Sequence, residues 1–337
     1  GQLMRAHGLL LENRDRSGSE ILEAMNEVVC RCGSYEAIVS AIQAAANSLR
    51  TGQAVEPRVI TLGKQDLTYV GKAIIRPDAV AKAIGGAKYT DDLQFEGMLY
   101  ARVLRAGIPS GILRTLDVSA AVQLEGVRAV LTAADLKHAR LHGVYSKDWP
   151  ILVGIDERVR YVGDAIAIVA AETQAIADEA ISLIKMVIEP RLVVSNPMLA
   201  AQPDAEKLHE KGNLLKKIKV GKGNLDEGFA QSDVIVEHTF FTPFMEHLFM
   251  EPECSIAVSR EDGGMDVYAG SQIPYEDRRQ VAEALGLEPE KVRIRGQKTG
   301  GAFGGKEDIA GQIHAALLAE ATGKPVKLLF TRRESMM

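Results

Sequence analysis

The spacing of apolar residues changes character a little after residue 50, and this change constrains the fold more than any other feature. Before it, the pattern is helical throughout. Ser17 and Glu20 stand at capping-box spacing, which satisfies free amides at a helix start, and the helix they open is expected to run to about Val28. After a Cys30–Cys32 turn, Ser34 is placed to cap a third helix, whose Ile38, Ile42, Ala45 and Leu49 recur at helical spacing and should form one buried face. From Arg50 to Leu67 glycine, proline and charge mix without period, as in a linker.

Beyond Val70 short apolar runs alternate with helical patterns. Met98–Leu104, Val127–Leu131 and Ala165–Ala170 read as buried strands, Thr173–Ile184 as an alanine-rich amphipathic helix, and Met186–Ile188 as a short strand. After a polar, lysine-rich stretch from Gln202 to Lys222, strands are expected at Val234–Thr242, Ser255–Val258, Val267–Ala269 and Val292–Arg295. Helices are expected at Pro274–Leu285 and Ile309–Ala321. This order of elements is α+β. The 337 residues suffice for two or three cores. The first residue is Gly1, Gln2–Glu12 already reads as a helix in progress, and Val326–Arg332 reads as a strand whose continuation is missing. Both ends are therefore expected to be cuts, which leaves a signal peptide open.

Composition excludes several classes. The net charge is −5 and the basic residues form no block, so no nucleic-acid partner is expected. The longest apolar run, Ala165–Ala171, is far below the roughly 20 residues of a membrane helix. Three cysteines, Cys30, Cys32 and Cys254, are too few for a disulfide scaffold and suit a reducing, cytoplasmic setting.

Four motifs could carry chemistry. Cys30-Arg31-Cys32-Gly33-Ser34-Tyr35 could give two of the four thiolates of a two-iron cluster from one turn; two buried cysteines at a helix end is the plain alternative. Zinc lacks a second nearby pair. Gly300-Gly301-Ala302-Phe303-Gly304-Gly305-Lys306-Glu307 lies between a strand and a helix, where glycines let backbone amides approach a ligand. It resembles a phosphate loop, but Glu307 stands where Ser or Thr would bind magnesium and would repel phosphate. The plain reading makes Glu307 a favourable charge at a helix start. Gln272 precedes Pro274, a good first helical residue, and so sits at a strand-to-helix turn. In His247-Leu248-Phe249-Met250-Glu251-Pro252 the histidine reads as a satisfied core residue, and Cys254 as a small buried side chain.

Together with G-x-A-x-Y-T-D-D at Gly85–Asp92 and V-R-Y-V-G-D-A-I-A at Val159–Ala167, these motifs resemble the molybdenum hydroxylases, the xanthine dehydrogenase and aldehyde oxidase family, along the whole chain. The resemblance implies an α+β multidomain fold. A partial helical [2Fe–2S] domain would occupy residues 1–50 and a linker 51–75. An α/β hammerhead domain would follow at 76–192, then a connector at 193–222 and the first part of a molybdopterin-binding domain at 223–337. No flavin domain lies between them. Ala106–Gly111, A-G-I-P-S-G, departs from the family's usual S-P-x-A-H-A turn.

Carried over by residue, Cys30 and Cys32 resemble the second cysteine pair of the cluster domain, and Gly1-Gln2 the residues after the first pair. Gln272 matches the glutamine that contacts a molybdenum oxo ligand. Gly301, Ala302, Phe303 and Gly304 match the backbone bordering the metal. Glu307 matches the carboxylate that orients purines in xanthine dehydrogenases. The general-base glutamate would lie beyond residue 337. The implied reaction is oxidative hydroxylation, with water, of a purine or other N-heteroaromatic, passing electrons to [2Fe–2S] clusters. Implied cofactors are molybdenum–molybdopterin, as such or as the cytosine dinucleotide, half a [2Fe–2S] ligand set, and FAD on a partner subunit. Implied partners are that flavin subunit and a chain supplying the rest of the molybdenum domain. The 337 residues alone are expected to be inactive. An assembly or electron-transfer subunit, or a truncated product, are the alternatives.

Overall fold

The computed structural model describes residues 1–28, 30, 32–55, 68–70 and 74–337. The chain divides into two compact units, Gly1–Ala87 and Lys88–Met337. Most of the stretch read as a linker lies outside the described residues.

The first unit is helical: α1 (Gln2–Glu12), α2 (Gly18–Met25) and α3 (Tyr35–Thr51). The Ser17–Glu20 capping box forms in both directions. Leu9, Leu10, Ile21, Met25, Ile42 and Ala46 make the core, with Ile38 and Ala45 packed against it. Three expectations need correction here. The second helix stops at Met25, short of Val28. Leu49 is 54% exposed, because the buried stripe drifts to Ala46 as 3.6-residue turns accumulate. Ser34 does not cap α3 through its side chain: its φ of 61° is left-handed, and no cap bond forms.

The second unit holds twelve strands among the described residues. They are β1 (Leu99–Arg105), β2 (Gly111–Asp117), β3 (Val127–Thr132), β4 (Leu141–His142), β5 (Trp149–Pro150) and β6 (Arg158–Val159). Then come β7 (Ala165–Ala171), β8 (Lys185–Pro190), β9 (Cys254–Ser259), β10 (Met265–Ala269), β11 (Val292–Gly296) and β12 (Val326–Leu329). Seven form one mixed sheet in the order β11-β10-β9-β12-β1-β7-β3. Its seam is the parallel β1–β12 pair, Leu99 opposite Val326. Strands from the stretch expected to be the hammerhead domain therefore share a sheet with strands from the stretch expected to begin the cofactor domain.

Every residue of β7 is buried. Ile168 and Ala170 join the core built with helices Pro274–Leu285 and Gln312–Thr322. Ala167 and Val169 join the core under helix Gln174–Leu183. Alternation across the pleat thus feeds two layers. A second sheet, β6-β2-β8, uses Gly111 where a Cβ would fall 2.4 Å from the Ile188 side chain.

Three more expectations change in this unit. Residues 234–242 form no strand; Phe240 and Phe241 are 84% and 92% exposed, and a strand needs a partner edge that this segment lacks among the described residues. The last helix of the glycine-loop region begins at Gln312, not Ile309. The terminal strand ends at Leu329, because a Thr331–Glu334 capping box starts a helical turn. No helix is long and apolar enough to cross a membrane among the described residues.

Asp164, in the V-R-Y-V-G-D run, is 1% exposed. It accepts from the Trp149 indole N–H at 3.0 Å and from the Arg160 amide at 2.6 Å. Asp164→Ala leaves both donors without a partner. The expected loss is about 2–5 kcal/mol, read as a lower urea midpoint at unchanged slope; a midpoint that does not move would show that these bonds are dispensable.

Candidate functional site

The site is built from two strand-to-helix turns. One follows β10 and carries Gln272 immediately before the Pro274 helix. Proline costs nothing there, because the first helical amide has no partner to lose. The other follows β11 and is the glycine loop. Gln272 ties them together. Its amide donates to the Lys306 carbonyl at 3.1 Å. Its side-chain Oε1 accepts from the Gly304 amide at 3.1 Å and the Lys306 amide at 3.3 Å. With Oε1 engaged twice, Nε2 is the group Gln272 has left to offer a ligand, and it can only donate.

The glycines are needed because the loop lies directly on the His247–Pro252 strip. A Cβ at Gly301 would meet the Phe249 Cβ at 2.9 Å, and one at Gly305 would meet the Phe249 ring at 2.8 Å. Gly301 and Gly304 have φ of 99° and 95°, and Phe303 between them is itself left-handed at 55°. A non-glycine residue there stores about 1–2 kcal/mol of strain. The Phe303 side chain is 46% exposed, and its amide has no partner among the described residues. Ala302 is buried.

Beneath the loop is a charge pair that sequence reading did not single out. Lys306 is 4% exposed; its Nζ lies 2.8 Å from Glu251 Oε2 and 4.7 Å above the Phe249 ring. The same Oε2 accepts from the Gly300 amide at 2.6 Å. Lys306 thus points into the protein and is neutralised there, a second reason beside Glu307 why this is not a nucleotide phosphate loop. The available signal was a lone charge at each of two positions inside apolar or glycine-rich runs. His247 is not the core histidine expected: its side chain is 45% exposed, over Gly304 and Gly305.

Glu307 is exposed, and its amide donates to the Gly304 carbonyl at 3.1 Å. The following helix has Gly311 at its cap, so Glu307 lies outside the first turn, where a helix-end charge effect fades. The carboxylate remains available to a ligand. Gln272, Gly301, Ala302, Phe303, Gly304 and Glu307 are therefore brought together in one loop system. Cys30 and Cys32 belong to the first unit, between α2 and α3. The Cys30 amide donates to the Tyr35 hydroxyl at 3.0 Å and the Gly33 amide to the Cys30 carbonyl, which shapes the turn. Both thiols are free, Cys32 exposed and Cys30 half-buried. Cys254 is buried in the second unit; burial pushes its thiol up to about 12, which fits a packing role.

Residues 208–337 match the molybdopterin cofactor-binding domain, 84–191 the aldehyde oxidase and xanthine dehydrogenase a/b hammerhead domain, and 1–43 the [2Fe-2S] binding domain. The chain belongs to the molybdenum hydroxylase family. Among its relatives is a probable xanthine dehydrogenase subunit from Bacillus subtilis, 43% identical over 78% of this chain and 35% of that protein. The nicotinate dehydrogenase large molybdopterin subunit of Eubacterium barkeri is 37% identical over 81% of this chain and 64% of that one. Among solved structures, the aldehyde oxidoreductase from Desulfovibrio gigas superposes with a TM-score of 0.76 at 27% identity, over all of this chain and 38% of that one. The chain thus spans about a third to two thirds of these relatives.

The residues of this chain fit a metal–pterin group. Gln272 is restricted to donating through Nε2, the Phe303 amide is without a partner, and the glycines clear Cβ atoms from the loop. The scaffold behind them contains a buried acid. Asp277, in the first turn after Gln272, is fully buried; it accepts from Gln312 Nε2 at 3.3 Å, and its Oδ1 has no partner. Burial pushes its carboxyl up from 3.8 to about 6. Because this pKa is raised, the folded state holds a proton that the unfolded chain releases near 3.8. The resulting stabilisation is complete below about pH 4 and is lost as pH rises to about 6. Asp277→Asn should therefore match the wild type near pH 4 and exceed it by up to about 3 kcal/mol at pH 8 in urea unfolding. Parallel pH profiles would show that Asp277 does not titrate in this window.

Proposed function

We propose that this chain supplies the cofactor-cradling part, and a portion of the iron–sulfur part, of an enzyme that oxidatively hydroxylates a purine or related N-heteroaromatic. The observation that carries this reading is the Gln272 clamp. With Oε1 held by two loop amides, the side chain is fixed as a donor toward an oxygen, and the same loop carries an exposed carboxylate, Glu307. When bound, the molybdenum–pterin group supplies the two-electron oxidation and the oxygen transferred to the ring. The chain's own residues would hold and orient: Gln272 Nε2 and the Phe303 amide would donate to acceptors of the group, and Glu307 would accept from a ring N–H.

A carboxylate beside the reacting carbon disfavours a simple aldehyde, which has no N–H to satisfy it. The similarity to the nicotinate dehydrogenase protein also supports a nitrogen heterocycle as substrate. Under this reading residues 1–50 are cluster-binding, 76–192 form the hammerhead domain and 223–337 begin the cofactor domain. The pterin is carried as such or as its cytosine dinucleotide. FAD resides on a partner subunit, and another chain segment completes the molybdenum domain and supplies the general base. The free thiols support a reducing, cytoplasmic setting.

In the complete enzyme, Glu307→Ala should lower kcat/KM for hypoxanthine by about 10- to 100-fold, and that for benzaldehyde far less. Equal losses would remove Glu307 from substrate placement. Cys30 and Cys32 are assigned as two of four cluster ligands. Cys32→Ser in the assembled enzyme should abolish the corresponding [2Fe–2S] signal in electron paramagnetic resonance; an unchanged signal would exclude the assignment.

A further inference from the structure

The second unit contains a cavity of about 550 Å³ that the proposed metal site does not use. This volume suits a small ligand. Its walls come from the β4–β5 hairpin and from the segment around His209. Its lining also includes Asp308, the residue directly after Glu307.

The walls have a definite chemistry. Trp149 meets Tyr161 edge-on at 5.4 Å and the His209 ring at 5.5 Å. The indole N–H is already engaged by Asp164 at 3.0 Å, so what Trp149 can offer a ligand is its ring. His209 Nδ1 lies 3.0 Å from one carboxylate oxygen of Asp148. A second carboxylate stands open. Asp308 is exposed and makes no hydrogen bond among the described residues. His142 also lines the cavity, but its Nδ1 is buried out of a ligand's reach. Lys211 also lines the cavity. An aromatic wall beside an open carboxylate selects a flat ring that carries N–H donors. Oxopurines meet that description. Aldehydes and aliphatic acids do not.

We propose that this cavity is a second binding station for a planar N-heteroaromatic, in which the ring packs against the Trp149 cluster and donates a hydrogen bond to Asp308. The station holds substrate-class molecules beside the Glu307 loop and needs no metal to do so. This rests on the substrate class proposed above, but its test is independent of turnover.

Trp149 is the one tryptophan of the sequence, so its fluorescence reports this cavity alone. Titrating the 337-residue chain with hypoxanthine, corrected for ligand absorbance, should give a saturable change in Trp149 emission. Asp308→Ala should weaken the apparent Kd by about tenfold, as expected for losing one hydrogen bond to a charged group. Asp308 is exposed, and circular dichroism verifies that this variant is folded. Glu307→Ala should leave the isotherm in place, and benzaldehyde should give none. A flat titration to millimolar hypoxanthine, an Asp308→Ala isotherm identical to wild type, or equal binding of benzaldehyde would each overturn the station. If the isotherm is absent while Glu307→Ala still discriminates between substrates in the complete enzyme, only the station falls. If the isotherm is present and Glu307→Ala does not discriminate, only the Glu307 assignment falls.

Discussion

The glycine loop stands on a buried ion pair. Lys306 Nζ and Glu251 Oε2 meet at 2.8 Å under the loop, Phe249 closes one side of the ammonium, and the Gly300 amide takes the same carboxylate oxygen. Removing one partner of such a pair strands a buried charge at a cost of about 3–5 kcal/mol. The pair thereby fixes both ends of the loop to the Phe249 strip. Only then can Gly301 and Gly305 lie so close to Phe249 that no Cβ would fit. The strained backbone at Phe303 persists because these contacts on either side over-determine it.

Gln272 completes the arrangement from the opposite turn. Its side-chain carbonyl binds two loop amides, so the amide nitrogen's orientation is set by the loop rather than by a freely rotating side chain. The two helices that leave these turns are joined in turn by Asp277 and Gln312. A ligand contact held on rigid elements keeps its geometry better than one held on a free loop. The seven-stranded sheet supplies that rigidity, and its β1–β12 seam links residues more than 200 positions apart in sequence.

Much of this was legible in the residues. Strand and helix periodicity located β1, β3, β7, β9, β10, β11 and the Pro274 helix to within a residue or two, because each buries a face whose spacing is written locally. Gln272 and the glycine loop were singled out through resemblance, and the structure places them side by side. The strand expected at residues 234–242 was not found, because alternation describes a half-buried surface and cannot say whether a partner edge exists. Gly111–Asp117 went unread because only Gly111 and Leu113 of it are buried, and glycine leaves no apolar signal.

The sequence by itself determined the order of elements, the helical character of the first 50 residues and the family to which the chain belongs. These are properties of local spacing and of motifs that tolerate little change. Only the tertiary structure decided that Lys306 faces inward to Glu251, that Glu307 stands clear of the helix beginning at Gln312, and that Trp149, His142 and Asp308 line one cavity. The first and last of these depend on partners dozens to more than a hundred residues away. The direction of a side chain and the balance of burial against charge are set by those partners, and no local pattern records them.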